Sequence, residues 1–364
     1  MIKDITCFIA SLAGGGAEHQ MIELVRLLSD KGYKVNLVTF IDENDHYNVD
    51  GRVRRIRLAQ GKSNFRKIVA ILKYFVFINN ATTICFSQRS SVFVLAALLF
   101  RPHIKVLSSD RNCILTNTDI YEKILMHGLW KRANYIVPNS ISQKTNILSK
   151  KPSWGRKVRP ILNYTNLKRF QFSQIPIGNT IEIGIFARFN YQKNWKLFSE
   201  MLSLLKSKTS IKFHIDWYGN QHYKDKDWNP DYLEFKDTIE KKNLTDIIEL
   251  HSAVNDVECY IPKYEAICLP SLFEGFSNSV AEAICCGRPM LVSDVSDNSL
   301  MVKDGENGYL FDPQNVNAMC DAFLSFFSLS YEEKVNMGMK SRKIAEELFD
   351  ENVFINSYIN LIEN

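Results

Sequence analysis

Twice along the chain a short apolar run gives way to an amphipathic helical stretch and then to another short apolar run. This alternation constrains the fold more than any other feature. Its first cycle is DITCFIASLAGGGAEHQMIELVRLLSDKGYKVNLVTF, residues 4–40. It reads as a strand, a glycine loop, a helix whose apolar stripe includes Met21, Leu24, Val25 and Leu28, a stop at Gly32, and a second strand. Further strand-like runs follow at TTICFS (82–87), IKVLSSD (104–110) and NYIVPNS (134–140), with helical segments between them. Strands alternating with helices in this way predict a parallel sheet covered on both faces.

The cycle then restarts. QFSQIPIGNT (171–180) has no helical period and carries a proline and a glycine, so it reads as a linker. Beyond it come IEIGIFA (181–187), a helix, IKFHIDWYG (211–219), a helix, and the strands IIELHS, EAICLPS and PMLVSD, the last two separated by a helix. The expected organisation is two doubly wound α/β domains, 1–172 and 173–348, with residues 349–364 a closing helix. A length of 364 residues suits two domains, and 46% apolar against 23% charged residues is the composition of a packed globule. Doubly wound domains bind ligands beyond the carboxyl ends of their strands.

Net charge of +5 conceals an asymmetry, for residues 1–175 sum to +16 and the remainder to −11. A basic half points to an anionic partner for that half. No nucleic-acid motif accompanies the basic residues, so nucleic acid is not expected. No apolar run reaches the 18 or so residues that span a bilayer. The mixed segment IVAILKYFVFI (68–78), preceded by Arg66 and Lys67, has the character of a helix lying on a membrane surface, although a core helix reads similarly. Eight cysteines show no paired spacing, which fits reduced cytosolic thiols.

Four places carry candidate chemistry. The glycine run ending in Gly15 and Gly16 joins the first strand to the first helix, where close backbone approach and helix amides suit an anion. His19 stands where a dinucleotide fingerprint needs its third glycine. Arg188 and Lys193 follow the first strand of the second domain, as cations facing a diphosphate would. In PSLFEGFSNSVAEAICCGRPMLVSD (270–294), Glu274 and Glu282 flank a small polar run. Here local pattern allows a plain alternative: Ser279 and Glu282 fit a capping box, with Glu274 an ordinary loop carboxylate. The fourth place is Asp110, with Arg111, at the end of a strand. No histidine pair has metal-binding spacing, and Asp225-Lys226-Asp227, though of D-x-D form, reads as a polar surface loop.

EGFSNSVAE, with CLPSLF before it and AICCGRPMLVSD after it, resembles the E-x7-E signature of the retaining glycosyltransferases of family 4, which have the GT-B fold. AGGGAE, ARFNYQKN (187–194) and NGYLFDP (307–313) resemble other motifs of that family, in the same order along the chain. The resemblance implies two Rossmann-like domains facing across a cleft, and a hexosyltransferase that uses a nucleotide sugar, UDP-linked in most polysaccharide-building relatives. It implies no cofactor, no metal and no protein nucleophile, because in the family's front-side mechanism the leaving oxygen helps deprotonate the acceptor. By the same resemblance Glu282 binds ribose and Glu274 the transferred sugar. Backbone amides across Gly275, Phe276, Ser277, Asn278 and Ser279 face sugar and diphosphate. Arg188 and Lys193 hold the diphosphate, and Gly15 and Gly16 meet donor phosphate and acceptor. SSDRNC resembles the S-E-R-N of a subgroup acting in surface-polysaccharide assembly, with Asp110 in place of the glutamate. An active-site position facing the acceptor is expected for Asp110, with general base a hypothesis.

The acceptor so implied is a saccharide on polyprenyl diphosphate, in polysaccharide, O-antigen or other lipopolysaccharide assembly, with the protein cytoplasmic and peripheral on the anionic inner face of the membrane. Two other readings compete with this one. A nicotinamide-dependent oxidoreductase needs the missing glycine, although Asp42 or Glu43 could serve as its ribose acid. A non-catalytic sugar-nucleotide-binding module would not need Arg188 and Lys193.

Overall fold

The computed structural model describes residues 4–13, 15–41, 47–58, 63–78, 82–111, 120–222 and 227–364. Asp42, Glu43, Asp225 and Lys226 lie outside them. The chain forms two compact units, Met1–Tyr164 together with Glu351–Asn364, and Thr165–Asp350.

In the first unit the order is β1 (Asp4–Phe8), α1 (Gly16–Asp30), β2 (Lys34–Thr39), β3 (Arg54–Arg57), α2 (Asn64–Phe77), β4 (Thr82–Phe86), α3 (Gln88–Ala97), β5 (Lys105–Asp110), α4 (Ile120–His127), β6 (Tyr135–Pro138) and α5 (Ile141–Lys150). Its strands make one parallel sheet in the order β3-β2-β1-β4-β5-β6. All five residues of β4 are buried, which is why such strands read as unbroken apolar runs rather than as alternation. One face packs α2, α3 and α4 through Ile71, Phe75, Val94, Leu98 and Leu125. The other packs α1.

The second unit runs β7 (Ile181–Phe186), α6 (Trp195–Lys208), β8 (Phe213–Gly219), α7 (Pro230–Lys241), β9 (Ile248–Ser252), α8 (Val257–Tyr260), β10 (Ala266–Leu269), α9 (Asn278–Cys285), β11 (Met290–Ser293), α10 (Asn298–Met301), β12 (Gly308–Phe311), α11 (Val316–Phe327) and α12 (Tyr331–Leu348). Its sheet is parallel in the order β12-β11-β10-β7-β8-β9. Phe198 of α6 meets Trp217 of β8 edge-on at 5.6 Å and Phe323 of α11 at 6.1 Å, joining that face of the sheet to its helices.

The last helix, α13 (Glu351–Glu363), returns to the first unit. Phe354, Ile355, Tyr358 and Ile362 enter the same core as α1 and β1, and Phe354 stacks on Tyr164 at 5.4 Å. Polar contacts fix its register. Glu351 accepts from Arg26 at 3.1 Å, Lys105 Nζ donates to the Ile362 carbonyl at 2.9 Å, and the Arg111 guanidinium reaches the Tyr358 hydroxyl at 2.6 Å. Arg111 also lies over the Phe86 ring at 4.0 Å.

The segment leading into β7 is held by a buried arginine as well as by its own buried Ile175. Arg288 is fully buried and donates to the carbonyls of Ser173, Gln174, Tyr264 and Cys286. Gly287 beside it has φ +72°, and a Cβ there would sit 2.5 Å from the Phe172 ring. Only glycine satisfies both conditions.

Candidate active site

In the second sheet β7 lies between β8 and β10, so the strand order reverses between β7 and β10. Loops leaving these two strands diverge to opposite faces, and the crevice between them is where doubly wound sheets take ligands. The β7 loop carries Arg188 and Lys193, and the β10 loop carries Glu274.

Each loop is built to present those groups. Trp217 Nε1 donates to the Ala187 carbonyl at 2.9 Å, Asn229 Nδ2 donates to the Phe189 carbonyl at 2.8 Å, and Phe189 is buried against Trp217 and Tyr232. With both neighbours fixed, Arg188 is left exposed, without a hydrogen bond or ion pair among the described residues. The Asn190 side chain then accepts from the Lys193 amide at 3.2 Å, closing a single 3-10 turn over Tyr191–Lys193. Asn194, at φ +60°, redirects the chain into α6 and anchors itself by donating to the Pro313 carbonyl at 2.8 Å. Asparagine is among the few residues that accept this left-handed backbone readily.

Gln192 joins the loops. Its carbonyl accepts from the Leu272 amide at 2.8 Å and its side chain donates to the Phe273 carbonyl at 2.8 Å. Lys193 and Glu274 are therefore opposed, and they form an ion pair while the Ser271 hydroxyl donates to the same Glu274 oxygen at 2.6 Å. Glu274 is 8% exposed. Ser296, at φ +52°, uses its hydroxyl on both the amide and the carbonyl of Glu274. Neither Gln192 nor Ser296 was singled out from sequence. Gln192 lay inside the ARFNYQKN motif, but the Ser296 contact comes from 22 residues away and leaves no local signal.

Next comes α9, and here the capping-box reading fails. The helix starts at Asn278 with Ser277 in the capping position, so Ser279 is already inside it and Glu282 lies more than one turn along. Ser277 does not cap either, because its hydroxyl donates to Asn298 Oδ1 at 2.7 Å. Ser277 gives this amino terminus no side-chain cap. Its first-turn amides and the helix dipole thus present partial positive charge beside Glu274. Glu282 is half-buried, and burial pushes its carboxyl up to about 7, an effect that Arg169 opposes and Glu258 reinforces.

In the first unit the order reverses between β1 and β4. Gly15 caps α1 without a side chain and lies beside the Tyr47 hydroxyl, and Gly16 opens the helix. At the end of β4, Ser87 has φ +80° and caps α3. Asp110, at the end of β5, is 1% exposed, and its Oδ2 accepts from both the Gln88 and Gln143 side-chain amides. Its neighbour Arg111 turns inward to hold α13, as described above. Gln88 and Gln143 escaped the sequence reading because each meets Asp110 only through sheet pairing.

One further cluster has metal-binding chemistry. His214, Asp216 and Glu249, on β8 and β9, offer ligand atoms within 4.8 Å of one another. They come from neighbouring strands, so no linear spacing reveals them. Asp216 is already engaged by His251 at 2.7 Å and by the Tyr264 hydroxyl at 2.8 Å. Against the effect of burial, these bonds and that from His214 hold its carboxyl at about 2.

Residues 180–328, most of the second unit, match the family described as glycosyl transferases group 1. Over 96% of each chain, the protein is 23% identical to the N-acetylgalactosamine-N,N'-diacetylbacillosaminyl-diphospho-undecaprenol 4-alpha-N-acetylgalactosaminyltransferase of Campylobacter jejuni. Among solved structures, it superposes on sucrose-phosphate synthase from Thermosynechococcus elongatus with a TM-score of 0.83, at 17% identity, over 99% of this chain and 98% of the other. The Anabaena protein HepE in complex with UDP and glucose gives a TM-score of 0.79 at 15% identity, over 98% of each chain. The two six-stranded parallel sheets are those of the GT-B fold. The chain is a glycosyltransferase of that fold, and its residues 180–328 match the model of the group 1 glycosyl transferases.

Proposed function

We propose that the protein transfers a sugar, with retention of anomeric configuration, from a UDP-linked donor to a saccharide carried on polyprenyl diphosphate, in the assembly of a cell-surface polysaccharide such as O-antigen. The observation that carries this reading is the arrangement at the switch point of the second sheet. A lysine–glutamate pair stands beside an uncapped helix start, with an exposed arginine on the neighbouring loop and a second carboxyl one turn into the helix.

In this reading Glu282 accepts hydrogen bonds from the ribose hydroxyls and Glu274 from hydroxyls of the transferred sugar. The backbone from Gly275 through Phe276, Ser277 and Asn278 to Ser279 donates toward sugar and diphosphate. Arg188 and Lys193 neutralise the charge that gathers on the departing diphosphate, so they stabilise the transition state more than the ground state. Two cations and a helix terminus supply what a divalent metal would otherwise supply, and the proposal includes no metal. Before the donor binds, Glu274 neutralises Lys193, so donor entry exchanges one partner for another instead of uncovering a buried charge. In the first unit the Gly15 and Gly16 amides are assigned to phosphate and acceptor. Asp110, fixed by two amide donors, is assigned to face the acceptor hydroxyl.

The donor nucleotide is supported by HepE, solved with UDP, and the lipid-linked acceptor by the Campylobacter relative, whose name specifies a diphospho-undecaprenol substrate. Such an acceptor places the enzyme on the inner face of the cell membrane. No helix among the described residues is long and apolar enough to cross a membrane, so the association proposed is peripheral. A panel of nucleotide sugars tested for slow donor hydrolysis, which requires no acceptor, decides the matter. Hydrolysis of a UDP-sugar that disappears in Lys193→Ala is the expected result, and a panel without any hydrolysed or bound member would overturn it.

A further inference from the structure

We infer that the outward face of α2, together with the turn that follows α3, docks on an anionic lipid bilayer. The inference rests on the membrane reading above and names the surface responsible. One apolar stripe of α2 is spent in the core, where Ile71 and Phe75 are buried. A second points to solvent. Phe65 is 75% exposed, Ile68 and Val76 are exposed, and half-buried Val69 continues the stripe between them. A surface helix of a globular unit needs one apolar stripe, and a second one calls for a partner. Arg66 and Lys73, two turns apart, are exposed along its flank. Rings on one side and long cationic side chains beside them are what a half-embedded helix presents to acyl chains and headgroups.

The structure extends this surface beyond the helix. Arg101 donates to the carbonyls of Val76 at 2.6 Å and Ile78 at 2.5 Å, which ties the end of α2 to the turn after α3. Phe77, 81% exposed, and Phe100, 92% exposed, are thereby held at one corner, with exposed Leu99 beside them. Charge selects the occupant. Residues 51–109 contain eleven Lys and Arg and no Asp or Glu. Arg52 is paired with Asp30 and Asp50, but exposed Arg66 and Lys73 on the face itself have no acid in that stretch to offset them, so the face opposes self-association and attracts an anionic layer.

Flotation of the full chain with vesicles of phosphatidylethanolamine and phosphatidylglycerol in equal parts, and with phosphatidylcholine alone, tests the assignment. The wild type should partition to the first and little to the second. Phe77→Ser with Phe100→Ser should weaken partition by about tenfold per ring. Arg66→Gln with Lys73→Gln should weaken it by about fivefold per charge, and added salt should abolish only that contribution. Nucleotide-sugar hydrolysis without lipid should be unchanged in both variants, since neither alters a residue assigned to the site. Undiminished partition of the phenylalanine variant would overturn the docking surface. So would a wild-type dimer that this variant dissociates, which would make the face a self-association surface. A wild type that binds vesicles but hydrolyses no nucleotide sugar would sink the transferase assignment and leave the docking surface standing. Hydrolysis without vesicle binding would do the reverse.

Discussion

Replacing Glu282 by glutamine sets the stability of the second unit against its proposed donor binding. Burial raises the Glu282 carboxyl from its ordinary 4.5 to about 7. A group protonated more readily when folded contributes most below its unfolded value, here below 4.5. That contribution is lost as pH rises through 7 and is constant thereafter. At about 1.4 kcal/mol per unit the shift corresponds to a ceiling of roughly 3 kcal/mol. Glu282 retains some contact with solvent, so about 1–2 kcal/mol is expected after screening. A neutral glutamine of the same shape does not carry that cost. Glu282→Gln should match the wild type near pH 4 and exceed it by about 1–2 kcal/mol above pH 7.5, or about 2–4 °C in Tm for each kcal/mol in a unit of this size. Nucleotide affinity should move the other way. Wild-type binding of UDP should strengthen as pH rises through 7, and the variant should lose about tenfold or more at pH 8, because an amide replaces a charge-assisted acceptor of hydroxyl hydrogen bonds. Denaturant melts from pH 4 to 8.5, paired with calorimetric UDP titrations, read both effects. A stability difference that is flat across that range would refute the burial argument, and undiminished UDP affinity would refute the ribose role.

Lys193→Ala should lower turnover by about a hundredfold to a thousandfold and stability by about 1–3 kcal/mol, since the Glu274 carboxylate keeps only Ser271 of the two side-chain donors it has now. Adding Glu274→Gln to Lys193→Met should restore stability without activity, and recovery of both would show the pair to be structural. Arg288→Met should cost about 3–5 kcal/mol by chemical denaturation, because the carbonyls of Ser173, Gln174, Tyr264 and Cys286 lose their buried donor. Asp110→Asn should slow transfer with little change in acceptor KM, and near-normal turnover would remove Asp110 from the chemistry. Exhaustive EDTA treatment should leave the transfer rate unaltered, in keeping with a charge-neutralising role for Arg188 and Lys193.

The alternation of apolar strands and amphipathic helices was legible residue by residue because β1, β4, β7 and β10 are buried on both faces, and burial on both faces writes continuous apolar runs. The edge strands β3 and β12 were harder to read, β3 showing only as arginines that alternate as on one face of a strand. Each has four residues, and RRIR and GYLF carry no such run. Motif spelling alone put Arg188, Lys193, Glu274 and Glu282 on the page as candidates, because each sits in a loop or helix start whose local chemistry is unusual. It could not decide whether Ser279 and Glu282 form a capping box. That depended on where α9 begins, which is fixed by Ser277 bonding to Asn298 rather than to its own helix. Nor could it foresee that Lys193 and Glu274 meet, 81 residues apart, or that Arg111 serves the closing helix. Pairings of that kind follow from which strands lie side by side. Strand order is a long-range outcome of packing two helical layers on one sheet, and no window of neighbouring residues encodes it.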